Sequence, residues 1–174
     1  MSARAFELRR AGEDDAQALA LVGAATFLET FAGVLPGPDI VAHCAVQHAA
    51  ERYAAWLAAG YPMWLAEAAV GRAPVGFVML SPPDLPIPSD ERDVEVKRIY
   101  TFSRWHGTGL GRALMEAAAD HAKAEGRRRL LLGVYGRNER AIAFYLKAGF
   151  EVVGERRFTV GGQTYDDLVL ARVL

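Results

Sequence analysis

Residues 99–115 limit the possible folds of this chain more than any other stretch. Ile99, Tyr100, Thr101 and Phe102 are good strand formers. Gly107, Gly109 and Gly111 then come at every second position, a spacing that neither a strand nor a helix interior favours. From Leu110 the pattern turns helical, with Leu110, Leu114, Ala117, Ala118 and His121 along one face, and Gly126 ends it. A helix that follows a glycine turn directly presents its first N–H groups, without internal partners, at the positive end of its dipole. Such an end suits a phosphate or pyrophosphate, and glycines let the backbone approach it closely. The same glycines also serve a plain tight turn. Two familiar phosphate loops fit badly. A P-loop closes on Gly-Lys-Ser/Thr, whereas Gly111 is followed by Arg112 and Ala113. A dinucleotide fold uses GxGxxG and an acidic residue about twenty positions on. Here Gly107-Thr108-Gly109-Leu110-Gly111 is GxGxG, with no such acid.

A second segment, Asn138 to Phe150, also has clear local physics. Asn138 is a good N-cap and Glu139 suits the first helical turn. Ala141, Phe144, Tyr145 and Ala148 share a face, and Gly149 is a natural stop.

The 174 residues fit one domain, residues 1–174, with one sizeable core. A formal charge of −1 and the lack of a basic block argue against a dedicated nucleic-acid binder. Arg127-Arg128-Arg129 reads as a solvated helix-to-strand turn. A lone cysteine, Cys44, excludes an internal disulfide and reads as a small buried hydrophobe. His43 and His48 lie five apart, a poor spacing for two metal ligands on one helix face. No signal segment or run of about eighteen apolar residues stands out, so a cytoplasmic protein that does not enter membranes is expected.

Strands are expected at 5–10, 63–69, 74–80, 93–102, 129–135, 150–160 and 164–174. Asp14 with Gln17 suggests a capping box for a helix to Phe31, and residues 39–59 form one helix or two with a bend near His48. This order suits an α+β fold, with a mixed, mainly antiparallel central sheet and helices on both faces. The C-terminal strands offer edges for a homodimer, though their apolar residues serve a monomer core equally well.

Both segments resemble hallmarks of the GNAT superfamily of N-acetyltransferases. His106 to Gly111 is similar to its acetyl-CoA signature Gln/Arg-x-x-Gly-x-Gly/Ala, with His106 at the usual Gln/Arg position and Ser103 where many members carry Pro. Asn138 to Phe150 resembles N-x-x-A-x-x-F-Y-x-K-x-G-F. The resemblance implies that acetyl-CoA meets His106, Gly107, Thr108, Gly109, Leu110, Gly111 and Arg112. It places the pantetheine arm along Ile99, Tyr100 and Thr101, and adds Asn138 and Lys147 as cofactor contacts. Tyr145 falls on the catalytic tyrosine, a phenol able to protonate the leaving thiolate; its other reading is a core aromatic beside Phe144. Glu95 lies where relatives place a base, with pairing to Lys97 or Arg98 as the alternative.

Phe27, Glu29 and Phe31 would line the acceptor site. Asp84, Asp90, Glu91, Asp93 and Glu95 form either a field for a cationic amine or a solvated acidic loop. The segments 26–31, 95–100 and 165–167 also resemble a bacterial branch that acetylates spermidine and spermine. The expected partner is a small amine. N-terminal protein acetylation and non-catalytic acetyl-CoA sensing are the alternatives.

Overall fold

A computed structural model describes residues 5–174. Seven strands form one open mixed sheet: β1 (Phe6–Arg10), β2 (Met63–Ala68), β3 (Pro74–Ser81), β4 (Asp93–Thr101), β5 (Arg129–Tyr135), β6 (Glu151–Val160) and β7 (Gln163–Val173), in the order β1-β2-β3-β4-β5-β7-β6. Five helices accompany it: α1 (Ala16–Phe31), α2 (Gly37–Gln47), α3 (Ala50–Ala58), α4 (Leu110–Ala124) and α5 (Glu139–Lys147). The expected sheet and all the expected strands are present, with ends moved by a residue or so. Of the two readings of residues 39–59, one helix or two, the pair is found, with His48 closing α2. Among the described residues, no helix is long and apolar enough to cross a membrane.

The described residues form two compact units, 5–79 with 98–117, and 80–97 with 118–174. In the first, β1 pairs antiparallel with β2, and β2 with β3. Leu19 and Val22 of α1, Tyr53 of α3, Met63 and Leu65 of β2, and Phe77 and Met79 of β3 are almost wholly buried. Removing large apolar side chains from water is the main force that holds such a cluster together, at about 1.5–3 kcal/mol for each side chain fully buried.

In the second unit β4 and β5 run parallel over Asp93↔Arg129, Val94↔Leu130 and Glu95↔Leu131. Strand β7 pairs antiparallel with both β5 and β6. Leu130, Leu131, Leu132, Phe150, Val169 and Leu170 are buried. The near-continuous apolar run of β5 reflects a strand covered on both faces.

Three local readings are corrected. The cap before α1 is not Asp14 with Gln17. Residues Glu13–Asp15 form a 3-10 turn, and the Asp15 carboxylate accepts the Gly12 N–H at 2.8 Å. Arg9 fixes that carboxylate from the other side with two bonds of 2.8 and 2.7 Å, which is why Asp15 wins. Phe102 is not in the strand: β4 stops at Thr101, and a 3-10 turn over Ser103–Trp105 precedes the glycines. Finally, Arg129 is not solvated with its neighbours. It makes two 2.8 Å bonds to the buried carboxylate of Asp93, while Arg127 donates to the Glu91 carbonyl.

Candidate functional site

The glycine turn is built in the first unit. Trp105 N–H donates to the Phe102 carbonyl at 2.9 Å, and His106 N–H to that of Ser103 at 3.0 Å. The Thr108 hydroxyl donates to the Trp105 carbonyl at 2.7 Å. Gly107 and Gly109 then take φ of 79° and 87°, the left-handed region that disfavours any side chain. A Cβ on either would meet nothing within 4 Å, so these glycines serve backbone conformation and open access rather than close packing. The first helical bond of α4 runs from Ala113 N–H to the Gly109 carbonyl, at 3.0 Å. The N–H groups of Leu110, Gly111 and Arg112 therefore precede the helix's own ladder, as an anion site requires. Leu110 and Leu114, both wholly buried, anchor the helix from its opposite face.

Ile99, Tyr100 and Thr101 lie on β4 beyond the three residues of its ladder to β5. Gly76 of β3 sits against them: a Cβ there would come 2.8 Å from the Tyr100 carbonyl. Glu29, at the exposed end of α1, accepts the Ser103 N–H at 3.0 Å and its hydroxyl at 2.7 Å. These bonds, led by the hydroxyl, hold its carboxyl below the usual range, with His106 adding to the effect. Glu29 thus braces the approach to the glycine turn.

Phe27 is buried and Phe31 half-buried, with ring centroids 4.5 Å apart, and Phe27 stacks on His43 at 4.4 Å. Beside them lies a polar group that sequence reasoning did not assemble. Arg98 donates to the Gln47 carbonyl at 2.8 Å and to the Tyr53 hydroxyl at 2.6 Å, and its Nη1 is 3.2 Å from His48 Nδ1. Burial, and then the Arg98 charge, push His48 down to about 3, so its ring is neutral at ordinary pH. Guanidinium only donates, so Nδ1 accepts and the proton sits on Nε2. His48 belongs to this network, not to a metal pair with His43.

In the second unit, Glu95 is 2% exposed. Its Oε2 accepts the Asp84 N–H at 2.8 Å, and its Oε1 lies 3.8 Å from Lys97 Nζ. The acidic stretch around it is largely neutralised within itself. Asp93 is held by Arg129, and the side chain and N–H of Arg92 pull Asp90 down to about 2. Asn138 caps α5, accepting the Ala141 N–H at 3.2 Å. Tyr145 is 8% exposed and lies edge-on to Phe144 and Phe150, at 5.3 and 5.8 Å. Lys147 is exposed on the last turn, and Gly149 follows with φ of 89°.

Arg156 and Asp167 are a further pair in this unit that the motifs do not contain. Arg156 donates to Asp167 Oδ2 at 3.0 and 3.3 Å. The sequence signal that could have found them is Gly133 inside an apolar strand, a mark of close approach: a Cβ there would come 2.5 Å from the Arg156 guanidinium.

The model of the Acetyltransferase (GNAT) family matches residues 36–150. An uncharacterized N-acetyltransferase of Mycobacterium tuberculosis is 34% identical over 160 residues, covering 92% of this chain and 98% of that protein. Among solved structures, the PaiA N-acetyltransferase of Thermoplasma acidophilum in complex with coenzyme A covers 100% of both chains, at a TM-score of 0.78 and 21% identity. The YncA protein of Salmonella typhimurium, solved with its cofactor acetyl-CoA, covers 97% of this chain and 94% of its own, at a TM-score of 0.70 and 21% identity. With the glycine turn, the seven-stranded sheet and these likenesses in agreement, the chain belongs to the acetyltransferase (GNAT) family.

Proposed function

We propose that this N-acetyltransferase moves the acetyl group of acetyl-CoA directly to a primary amine, with both substrates bound together, and that the acceptor is a small cationic amine such as a polyamine. The observation that carries this reading is the open, left-handed Gly107–Gly109 turn leading into α4. Its geometry fits a pyrophosphate: backbone N–H groups of Leu110, Gly111 and Arg112 would bind it at the helix's positive end. Ile99, Tyr100 and Thr101 would pair with the pantetheine arm as an added strand does. His106, Thr108, Asn138 and Lys147 complete the cofactor contacts in this reading.

The amine lone pair attacks the thioester carbonyl carbon, the carbon–sulfur bond breaks, the thiolate takes a proton from Tyr145, and the proton that the acylated nitrogen sheds restores the phenol. A charged amine must first lose a proton. Glu95 serves this through water, since one of its oxygens is committed to the Asp84 N–H. Phe27, Glu29 and Phe31 lie on the acceptor side, where Glu29 acts by positioning Ser103.

Thiol release from acetyl-CoA against spermidine, spermine, diamines, amino acids and N-terminal peptides tests the proposal. Turnover with free amines supports it. Turnover with peptides alone would make the chain a protein N-terminal acetyltransferase. Acetyl-CoA binding without any turnover would make it a sensor.

A further inference from the structure

Strands β5, β6 and β7 gather an unusual set of side chains on one face of the second unit. Register fixes that face. Glu95 pairs with Leu131, Tyr135 with Asp167, Asp167 with Arg156, and Tyr165 with Phe158. Paired residues share a face and alternate residues return to it. Glu95, Tyr135, Arg156, Phe158, Tyr165 and Asp167 therefore look the same way.

Asp167 is 3% exposed, yet its Oδ1 has no hydrogen-bond partner among the described residues. A buried carboxylate oxygen left unpaired is costly, because it has given up water for nothing. Its other oxygen is pinned by Arg156, whose guanidinium fits only because position 133 lacks a side chain. Burial raises the Asp167 carboxyl and Arg156 opposes that shift. Tyr135 and Tyr165 meet edge to face at 5.8 Å on the same side. The face thus holds a buried, unpartnered acceptor atom, with Tyr135 as its cross-strand neighbour, on the side of the sheet that carries Glu95.

We infer that Asp167 Oδ1 anchors the acceptor by accepting an N–H from its amino group, with Arg156 as the positioning residue that aims the carboxylate. This deepens the proposed amine acetylation and rests on it. Asp167 fills the need that a lone hydrogen-bond acceptor implies, a ligand that donates. Both Glu95 oxygens, by contrast, already have partners, the Asp84 N–H and the Lys97 ammonium.

The test is steady-state kinetics of the full chain with acetyl-CoA and the best amine of the panel, for the wild type and Asp167→Asn. The expected result is an amine KM raised tenfold or more, with the acetyl-CoA KM within twofold of wild type. An unchanged amine KM overturns the anchor and leaves amine acetylation standing, with Oδ1 then serving a buried water. Equal rises in both KM values overturn it too, since a structural role moves both. A wild type that acetylates no amine overturns the functional reading and the anchor together. Should Asp167→Asn fail to fold, Gly133→Ala reads the same point. Its methyl displaces the flexible end of Arg156 and leaves Asp167 in place, and it should again raise the amine KM selectively.

Discussion

Glu29 and Ser103 are joined twice, through the Ser103 N–H at 3.0 Å and its hydroxyl at 2.7 Å, although 74 positions separate them in the chain. The pair ties the end of α1 to the 3-10 turn that leads into the glycines. Glu29→Ala should therefore weaken acetyl-CoA binding by roughly threefold to tenfold, the scale of about 1 kcal/mol for such an exposed charged hydrogen bond. Calorimetric titration checks this, and an unchanged Kd would confine Glu29 to the acceptor side. The two donors lower the Glu29 pKa from 4.5. A carboxyl lowered on folding stabilises fully above its unfolded value and loses that contribution as pH falls through its folded value. The gap between wild type and variant should hold above pH 4.5 and close only in more acid solution.

Asp93 and Arg129 join the first residue of β4 to the first of β5, at the start of their parallel ladder. Asp93 is 1% exposed in its side chain and Arg129 26%. Asp93→Asn leaves the guanidinium half-partnered in a partly buried setting and should cost about 2–3 kcal/mol, somewhat below the range for a wholly buried pair. Urea unfolding at neutral pH measures it as a lower midpoint with an unchanged slope. Arg129 also holds the Asp93 carboxyl below its usual 3.8. The cost should therefore be full above pH 3.8 and fade as acid protonates Asp93 in the folded protein.

What the sequence revealed follows from how local each signal is. The glycine turn and the Asn138 cap depend on neighbouring residues and were legible. So was the apolar run of β5. Partnerships between distant segments were not. Arg129 read as one of three solvated arginines because Asp93 stands 36 positions earlier. Arg98 read as a charge on a strand, whereas Gln47, His48 and Tyr53 hold it 45 to 51 positions away. Asp15 displaced the expected cap because Arg9 and Gly12 both reach it. Side-chain pairing across a fold leaves no periodicity, and only a glycine inside an apolar strand, such as Gly133, could have pointed to it.

Gly23 of α1 faces the polar group around Arg98. A Cβ there would clash with His48 Nδ1 and come 2.5 Å from the Tyr53 hydroxyl. The one is a ring nitrogen and the other a hydroxyl on a rigid ring, and both are fixed by hydrogen bonds, so neither can yield cheaply. Gly23→Ala should destabilise the fold by about 1–3 kcal/mol, as overpacking does, despite the better helix propensity of alanine. Thermal unfolding decides it, and a raised Tm would mean that α1 can shift away from His48.

The same group carries a pH signature. His48 is lowered from 6.5 to about 3 by burial and then by Arg98. Between those values the unfolded chain binds a proton that the folded chain refuses, so stability rises with pH across that window. The slope from this one group is at most about 1.4 kcal/mol per pH unit. His48→Gln removes the titration. The stability difference between wild type and variant should shrink from pH 6.5 downward, and a difference independent of pH would mean that His48 charges freely inside the fold.

Tyr145 carries the sharpest test of the chemistry. Its ring packs edge-on to Phe144 and Phe150, and Tyr145→Phe preserves those contacts. The variant should keep its Tm and its acetyl-CoA Kd. If the hydroxyl protonates the departing thiolate, kcat should drop at least tenfold, about 1.4 kcal/mol of barrier. Rapid-mixing kinetics should show the same loss in the chemical step, which separates it from slower product release. An unchanged chemical rate would return Tyr145 to the role its burial already serves, a core aromatic under α5, and the thiolate would then draw its proton from solvent.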